Sequence, residues 1–102
     1  MPDSIDPTHE HEPLPEPAQE SLTPEEVAER EQRRAFGARV RALRHSADMS
    51  QEQLARAAKL ERAYVSHVEN GRRNTSLHTM WRLANALGVA PGRFFDDAPG
   101  TT

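Results

Sequence analysis

Cysteine is absent from the 102 residues of this sequence. Disulfides, thiolate catalysis and cysteine-based zinc sites are therefore excluded, and the composition is compatible with the reducing cytoplasm in which we expect the protein. No segment approaches the roughly 18 consecutive apolar residues of a membrane-spanning helix, so no membrane association is expected. The N-terminus is acidic and contains no apolar run, which is unlike a secretory signal.

Lysine and arginine are absent from residues 1–29, which contain nine of the 16 acidic residues. Residues 30–102 therefore hold the other seven acidic residues together with all 13 lysines and arginines, a net charge of +6, although the whole chain carries −3. A modestly basic domain with an acidic arm suits a polyanionic partner better than the whole-chain pI of about 5.9 suggests. The length allows one small domain.

Residues 1–22 are rich in Pro, Glu, Asp and His and contain few apolar residues. Such a segment buries too little apolar surface to offset its ordering entropy, so we predict a disordered acidic arm. Its histidine-glutamate run at residues 9–12 is not interpreted as a metal site, because nothing fixes a ligand geometry, and no metal or cofactor is expected. The arm is a candidate segment for binding a protein partner, or for competing weakly with DNA.

The stretch from Ser50 to Gly71 predicts two short helices joined by a turn. Ser50 can cap the first helix, and residues 59–61 interrupt its apolar pattern. The second helix is expected at residues 62–69, and Gly71 can adopt the left-handed conformation that often ends a helix. Two helices of this size around a short turn are typical of the helix-turn-helix unit, whose second helix enters the DNA major groove.

Further helical segments flank this unit on both sides. Thr23 and Pro24 begin a helix that continues to about His45; its residues 23–34 form an extension, either continuous with the first domain helix or separate. Ser76 is expected to cap a helix at 77–87, and Pro91 begins a short last helix. Residues 35–96 are thus predicted to form one all-α, five-helix domain, with a tail at 97–102. Its expected core-facing positions include Phe36, Val40, Leu43, Ala47, Leu54, Ala57, Ala58, Val65, Val68, Leu77, Met80, Leu83, Ala84 and Leu87.

From about Phe36 to Phe95 the chain resembles the XRE-type, phage-repressor-like helix-turn-helix family. The matching residues are Ser50, Gln51, Leu54, Ala55, Val65, Ser66, Val68, Glu69, Gly71, Leu83, Ala84 and residues 86–89. Within that family it is similar to the controller proteins of restriction-modification systems, through Arg62, Tyr64, Ser66, Glu69, Gly71, Arg73, Asn74, Ser76 and Leu77. The resemblance implies a repressor-like domain that binds double-stranded DNA and regulates transcription as a homodimer on a pseudo-palindromic operator.

The second helix of the unit, at residues 62–69, is the recognition helix. Its outward residues are the expected base contacts: Arg62, Ala63, Ser66 and His67. Arg62 is favoured as a guanine reader, over contact with phosphate or solvent alone, because its guanidinium matches the O6 and N7 acceptors. His67 either touches a base or is a solvated surface histidine. The expected contacts to the DNA backbone are Gln51, Tyr64, Arg72, Arg73 and Asn74, although the Tyr64 ring also suits packing on the core.

The resemblance also implies that Arg44 and Glu69 pair as a partly buried, structural salt bridge. The chain departs from the family pattern at two positions. Lys59 stands where the motif turn usually carries glycine, and a lysine held in the left-handed conformation costs on the order of 1 kcal/mol. Glu61 replaces a shorter capping residue and brings a negative charge towards DNA.

Dimerisation is expected because one short recognition helix reads too few base pairs to be selective. The candidate interface residues are Trp81, Val89, Phe94 and Phe95, with one of the two adjacent phenylalanines expected to pack inward. An alternative to the regulator is a protein-interaction module, such as the antitoxin partner of a toxin. An enzyme is not expected, because the candidate acids and histidines are scattered and no nucleophile has an evident base.

Overall fold

A computed structural model describes residues 21–96 of the chain. They contain α1 (Pro24–Ser46), α2 (Gln51–Ala58), α3 (Arg62–Glu69), α4 (Leu77–Leu87) and a final 3₁₀ turn (Pro91–Phe95). The all-α prediction is confirmed, since no strand occurs within this range. The prediction of five α-helices is wrong: the last segment is only five residues long, and Arg93 N bonds Ala90 O with i to i+3 spacing.

The predictions of a disordered arm, of its histidine-glutamate run and of a tail concern residues that lie outside the described range, apart from Ser21 and Leu22. Within residues 21–96, no helix combines the length and the apolar character needed to cross a bilayer.

The first helix is continuous from residue 24 to residue 46, so the extension belongs to α1. Its start is fixed by a capping box at the predicted position: Glu26 N donates to Thr23 Oγ1 at 3.1 Å, and Thr23 N donates to Glu26 Oε1 at 2.8 Å. Because α1 ends at Ser46, Ala47 becomes its exposed C-cap and is not a core residue.

Gly37 does not break α1 but allows another helix to approach it. A methyl group built on Gly37 would lie 2.1 Å from the carbonyl oxygen of Val68 and 2.9 Å from that of Glu69. The C-terminal turn of α3 therefore lies directly on the backbone of α1. This close approach fixes the orientation of α3 relative to the rest of the domain.

The turn between α2 and α3 has the conformation that the family pattern implies. Lys59 is left-handed, with φ 60° and ψ 45°, and Leu60 N donates to Ala55 O at 2.8 Å. Glu61 occupies the N-cap of α3, but its side chain makes no capping hydrogen bond. The preceding helix α2 buries Ala55, whereas Ala57, which we expected in the core, is exposed.

The apolar faces of the four helices meet in one core, which the 3₁₀ turn closes. Phe94 is buried there and its ring meets that of Phe36 at a centroid distance of 5.1 Å. Leu77 was expected on the inner face of α4 but is 67% exposed, because it is the first helical residue and extends beyond the core. The buried core residues are Val40, Leu43, Leu54, Ala55, Ala58, Val65, Val68, Leu83, Ala84, Leu87 and Phe94.

Candidate nucleic-acid interface

Helix α3 buries one side and presents the other to solvent. Val65 and Val68 are buried, which turns the opposite face outward. On that face Arg62 and Ala63 are exposed, while the other two predicted base-contacting residues, Ser66 and His67, are half-buried. The four predicted residues thus line the accessible side of α3, with the most exposed pair in its first turn.

The N-terminal end of α3 combines opposite charges. Glu61 is exposed and lies one residue before Arg62, and it contributes no capping bond. A carboxylate is favourable at the positive end of a helix dipole, but it repels a phosphate group brought to the same place. If this end of α3 meets DNA, the Glu61 carboxylate therefore favours a hydrogen-bond donor on a base as its neighbour and disfavours a phosphate group.

A buried ionic network joins α1, α2 and α3 behind this face. Arg44 donates Nε to Glu69 Oε2 at 2.7 Å and Nη2 to Oε1 at 3.0 Å, and its Nη1 donates to the carbonyl of Met49 at 2.8 Å. The side chains of Arg44 and Glu69 are 9% and 2% exposed, respectively. Gln51 Nε2 also donates to Glu69 Oε1, at 3.1 Å, so the residue expected at a DNA phosphate has a structural partner as well.

The loop after α3 carries the remaining predicted backbone contacts. Arg72, Arg73 and Asn74 are all exposed. Arg72 N donates to His67 O at 2.9 Å, and the Arg73 guanidinium lies 4.8 Å from the centre of the Tyr64 ring. The half-buried Tyr64 ring therefore holds the Arg73 guanidinium beside the recognition helix through a cation–π interaction.

Sequence reasoning missed the side chains of α1 that contact this loop. Arg33 Nε donates to the carbonyl of Gly71 at 3.2 Å, and the stem of Arg34 lies against the same glycine. An open groove of about 360 Å³ lies alongside, between α1, the loop and the 3₁₀ turn. The only sequence signal for this arrangement was the cluster of arginines in a helix segment without an apolar stripe.

The candidate dimer residues divide between surface and core. Trp81 and Phe95 are 50% and 49% exposed, and Val89 is half-buried. Phe94 is 1% exposed, so it is the phenylalanine that packs inward, and its assignment to the interface is corrected. Leu77, which we did not assign to the interface, is the most exposed large apolar residue of the described range.

No metal-binding group is present within residues 21–96, in the sense that no three His, Asp or Glu side chains cluster there. What the described residues do assemble is a helix face with an exposed arginine and a loop with two more. This arrangement suits hydrogen bonding to base edges and phosphates.

The family model described as "Helix-turn-helix domain" matches residues 35–93. The control protein C.BamHI of Bacillus amyloliquefaciens is 45% identical over 62 residues, which are 60% of this chain and 76% of that protein. The immunity repressor protein of Bacillus phage phi105 is 42% identical over 53 residues, 52% of this chain but only 37% of the repressor.

Among solved structures, the fold is similar to the restriction-modification controller protein C.AhdI from Aeromonas hydrophila. The TM-score is 0.61 and the identity 44%, covering 62% of this chain and 96% of the controller protein. The match of the family model spans α2, the turn, α3 and α4. The chain therefore belongs to the XRE-type, phage-repressor-like helix-turn-helix family, which is a family of transcription regulators and not of enzymes.

Proposed function

We propose that this protein is a sequence-specific, DNA-binding transcriptional regulator that acts as a homodimer on a pseudo-palindromic operator. The observation that carries the proposal is the outward face of α3, where the exposed Arg62 leads the helix. Arg62 reads a guanine, Ser66 and His67 follow along the groove, and Ala63 contacts a thymine methyl group. No chemistry is required, because a bound dimer regulates by blocking or recruiting polymerase.

The proposed contacts to the DNA backbone lie near the last turn of α3. Gln51 stands at the first position of α2, where unpaired N–H groups attract a phosphate. Gln51 Nε2 donates to Glu69 in that turn of α3. Arg72 and Arg73 follow the same turn in the chain, so phosphates held beside this end fix the register of the helix.

We propose the dimer interface on the large apolar side chains that are most exposed in the described range: Leu77, Trp81 and Phe95. Leu77 and Trp81 lie one helical turn apart on α4, and Phe95 extends from the 3₁₀ turn. Apolar side chains that are exposed next to one another, as Leu77 and Trp81 are on α4, commonly mark protein-protein contacts. Two recognition helices held by such an interface read half-sites about one turn of DNA apart, roughly 34 Å.

The interface is tested by Trp81→Glu and Phe95→Glu, measured by sedimentation equilibrium. Each change places a charge in an apolar contact, so we expect folded monomers. The matched control is Ala57→Glu, an exposed position on α2 away from the proposed surface, which should remain dimeric. Persistence of the dimer in both apolar variants would place the interface elsewhere, for instance on residues 24–35.

The reading face is tested by selecting duplexes from a randomised pool. The proposal predicts an enriched motif with two symmetric half-sites. Arg62→Ala should then lose roughly 1–3 kcal/mol of discrimination at one position of each half-site, without a change of preference elsewhere. An unchanged motif would assign Arg62 to phosphate or solvent, and the absence of any enriched motif would contradict sequence-specific binding.

A further inference from the structure

The first helix brings an arginine to the end of the recognition helix. Gly71 follows α3 in the left-handed conformation, with φ 73°. A methyl group built on it would lie 2.7 Å from Cγ of Arg34 and 3.0 Å from its Cα. The stem of the Arg34 side chain thus lies against Gly71, while Arg34 as a whole is exposed.

The neighbouring arginine of α1 holds the same turn in place. Arg33 is half-buried, and its Nε donates to the carbonyl of Gly71 at 3.2 Å. Arg72 and Arg73 continue the chain from this turn and are exposed. Arginines that are distant in sequence are therefore assembled at one end of α3, with the Gly71 turn fixed by a hydrogen bond from α1.

The groove beside these arginines is less suitable for an anion than the Gly71 turn itself. Glu29 lines that groove together with Arg33 and Arg73. Its carboxylate repels a negatively charged ligand, since like charges at short range are unfavourable. Arg34 and Arg72 are not among the residues that line the groove, so an anion outside it can be held by Arg34 next to one held by Arg72.

We propose that Arg34 binds a DNA phosphate next to the one held by Arg72, so that α1 lengthens the backbone contact beyond the helix-turn-helix motif. This inference rests on the proposed DNA-binding function and adds a residue to the same site. The family model begins at residue 35, so the family match assigns Arg34 no role. A phosphate contact carries no sequence information, and it raises affinity for all duplexes alike.

The experiment measures binding of the full chain to the selected duplex and to a scrambled one, across a salt series. Arg34→Gln should reduce the slope of log K against log salt by about 0.9 per half-site, which is about eight-fold in affinity at 0.1 M salt. The same loss is expected for both duplexes. The control Arg82→Gln removes an equal charge from the exposed part of α4, where Nη1 reaches Lys59 O at 3.4 Å, and should leave the slope unchanged.

Arg34→Lys separates the charge from the guanidinium group, because it keeps the cation and the stem that contacts Gly71, and it should retain most of the slope. An Arg34→Lys variant as weak as Arg34→Gln would overturn the inference, since the loss would then arise from contacts that only the guanidinium makes within the protein and not from its charge. An unchanged slope in Arg34→Gln, while Arg72→Gln loses slope, would also overturn it and leave the proposed function intact. If the wild-type protein shows neither preference nor salt dependence, the proposed function fails first.

Discussion

Replacing Arg44 by alanine removes the guanidinium that connects three helices. The change deletes two hydrogen bonds to Glu69, at 2.7 and 3.0 Å, and one to the carbonyl of Met49 at 2.8 Å. The Glu69 side chain is 2% exposed, so its charge stays buried with Gln51 as its remaining side-chain partner. Breaking one side of a buried pair typically costs about 3–5 kcal/mol.

That loss is a large fraction of the roughly 5–15 kcal/mol that stabilises a domain. At about 4–8 °C per kcal/mol, the melting temperature of Arg44→Ala should fall by at least about 12 °C. Urea unfolding followed by far-UV circular dichroism measures the free energy. The control is Arg56→Ala, whose partner Glu52 lies 3.5 Å away with both side chains more than half exposed; it should cost less than about 1 kcal/mol.

A double variant distinguishes the loss of the ion pair itself from the cost of leaving the Glu69 charge buried without its partner. In Arg44→Met combined with Glu69→Leu, no buried charge remains, so the double variant should recover much of the stability lost in Arg44→Met alone. The reasoning would be refuted if Arg44→Ala lost less than about 1 kcal/mol. It would be refuted equally if that variant kept its stability and lost most of its DNA affinity.

Two backbone positions give further predictions, both measured by urea unfolding. Lys59→Gly should stabilise the protein by about 0.5–1 kcal/mol, because glycine adopts the left-handed conformation without the penalty of a side chain. The control Arg56→Gly, at an ordinary helical position, should destabilise the protein by a similar amount. Destabilisation by Lys59→Gly would contradict the explanation. Gly37→Ala should cost about 1–3 kcal/mol or more, since its methyl group meets Val68 O at 2.1 Å. Gly92→Ala, with no atom within 4 Å of the added carbon, should be nearly neutral, and equal effects of the two alanines would refute the steric argument.

The helix boundaries were largely predictable because their signals are local. Ser50 and Ser76 cap the helices that follow them, as predicted, and Gly88 follows the predicted end of α4 in the left-handed conformation. Capping depends on residues within one turn of the cap, so it can be recognised without knowing the tertiary fold. The outward face of α3 followed in the same way from the spacing of Val65 and Val68.

Contacts between distant segments were not predictable from local patterns. Glycine within a helix normally weakens it, and the presence of Gly37 in α1 is explained by the close approach of Val68. Phe94 and Phe95 are adjacent and chemically alike, so the sequence indicated that one would pack inward but not which. Arg33 and Arg34 acquire their relation to the candidate site only because the loop after α3 crosses α1 at Gly71.

The most direct test of DNA reading by this domain is fluorescence anisotropy of the purified full chain with a selected duplex and a scrambled duplex of equal length, across a salt series. The account predicts a preference of roughly 10³ or more for the selected duplex, together with a steep decrease of affinity as salt rises. Equal and weak binding to both duplexes at every salt concentration would contradict it.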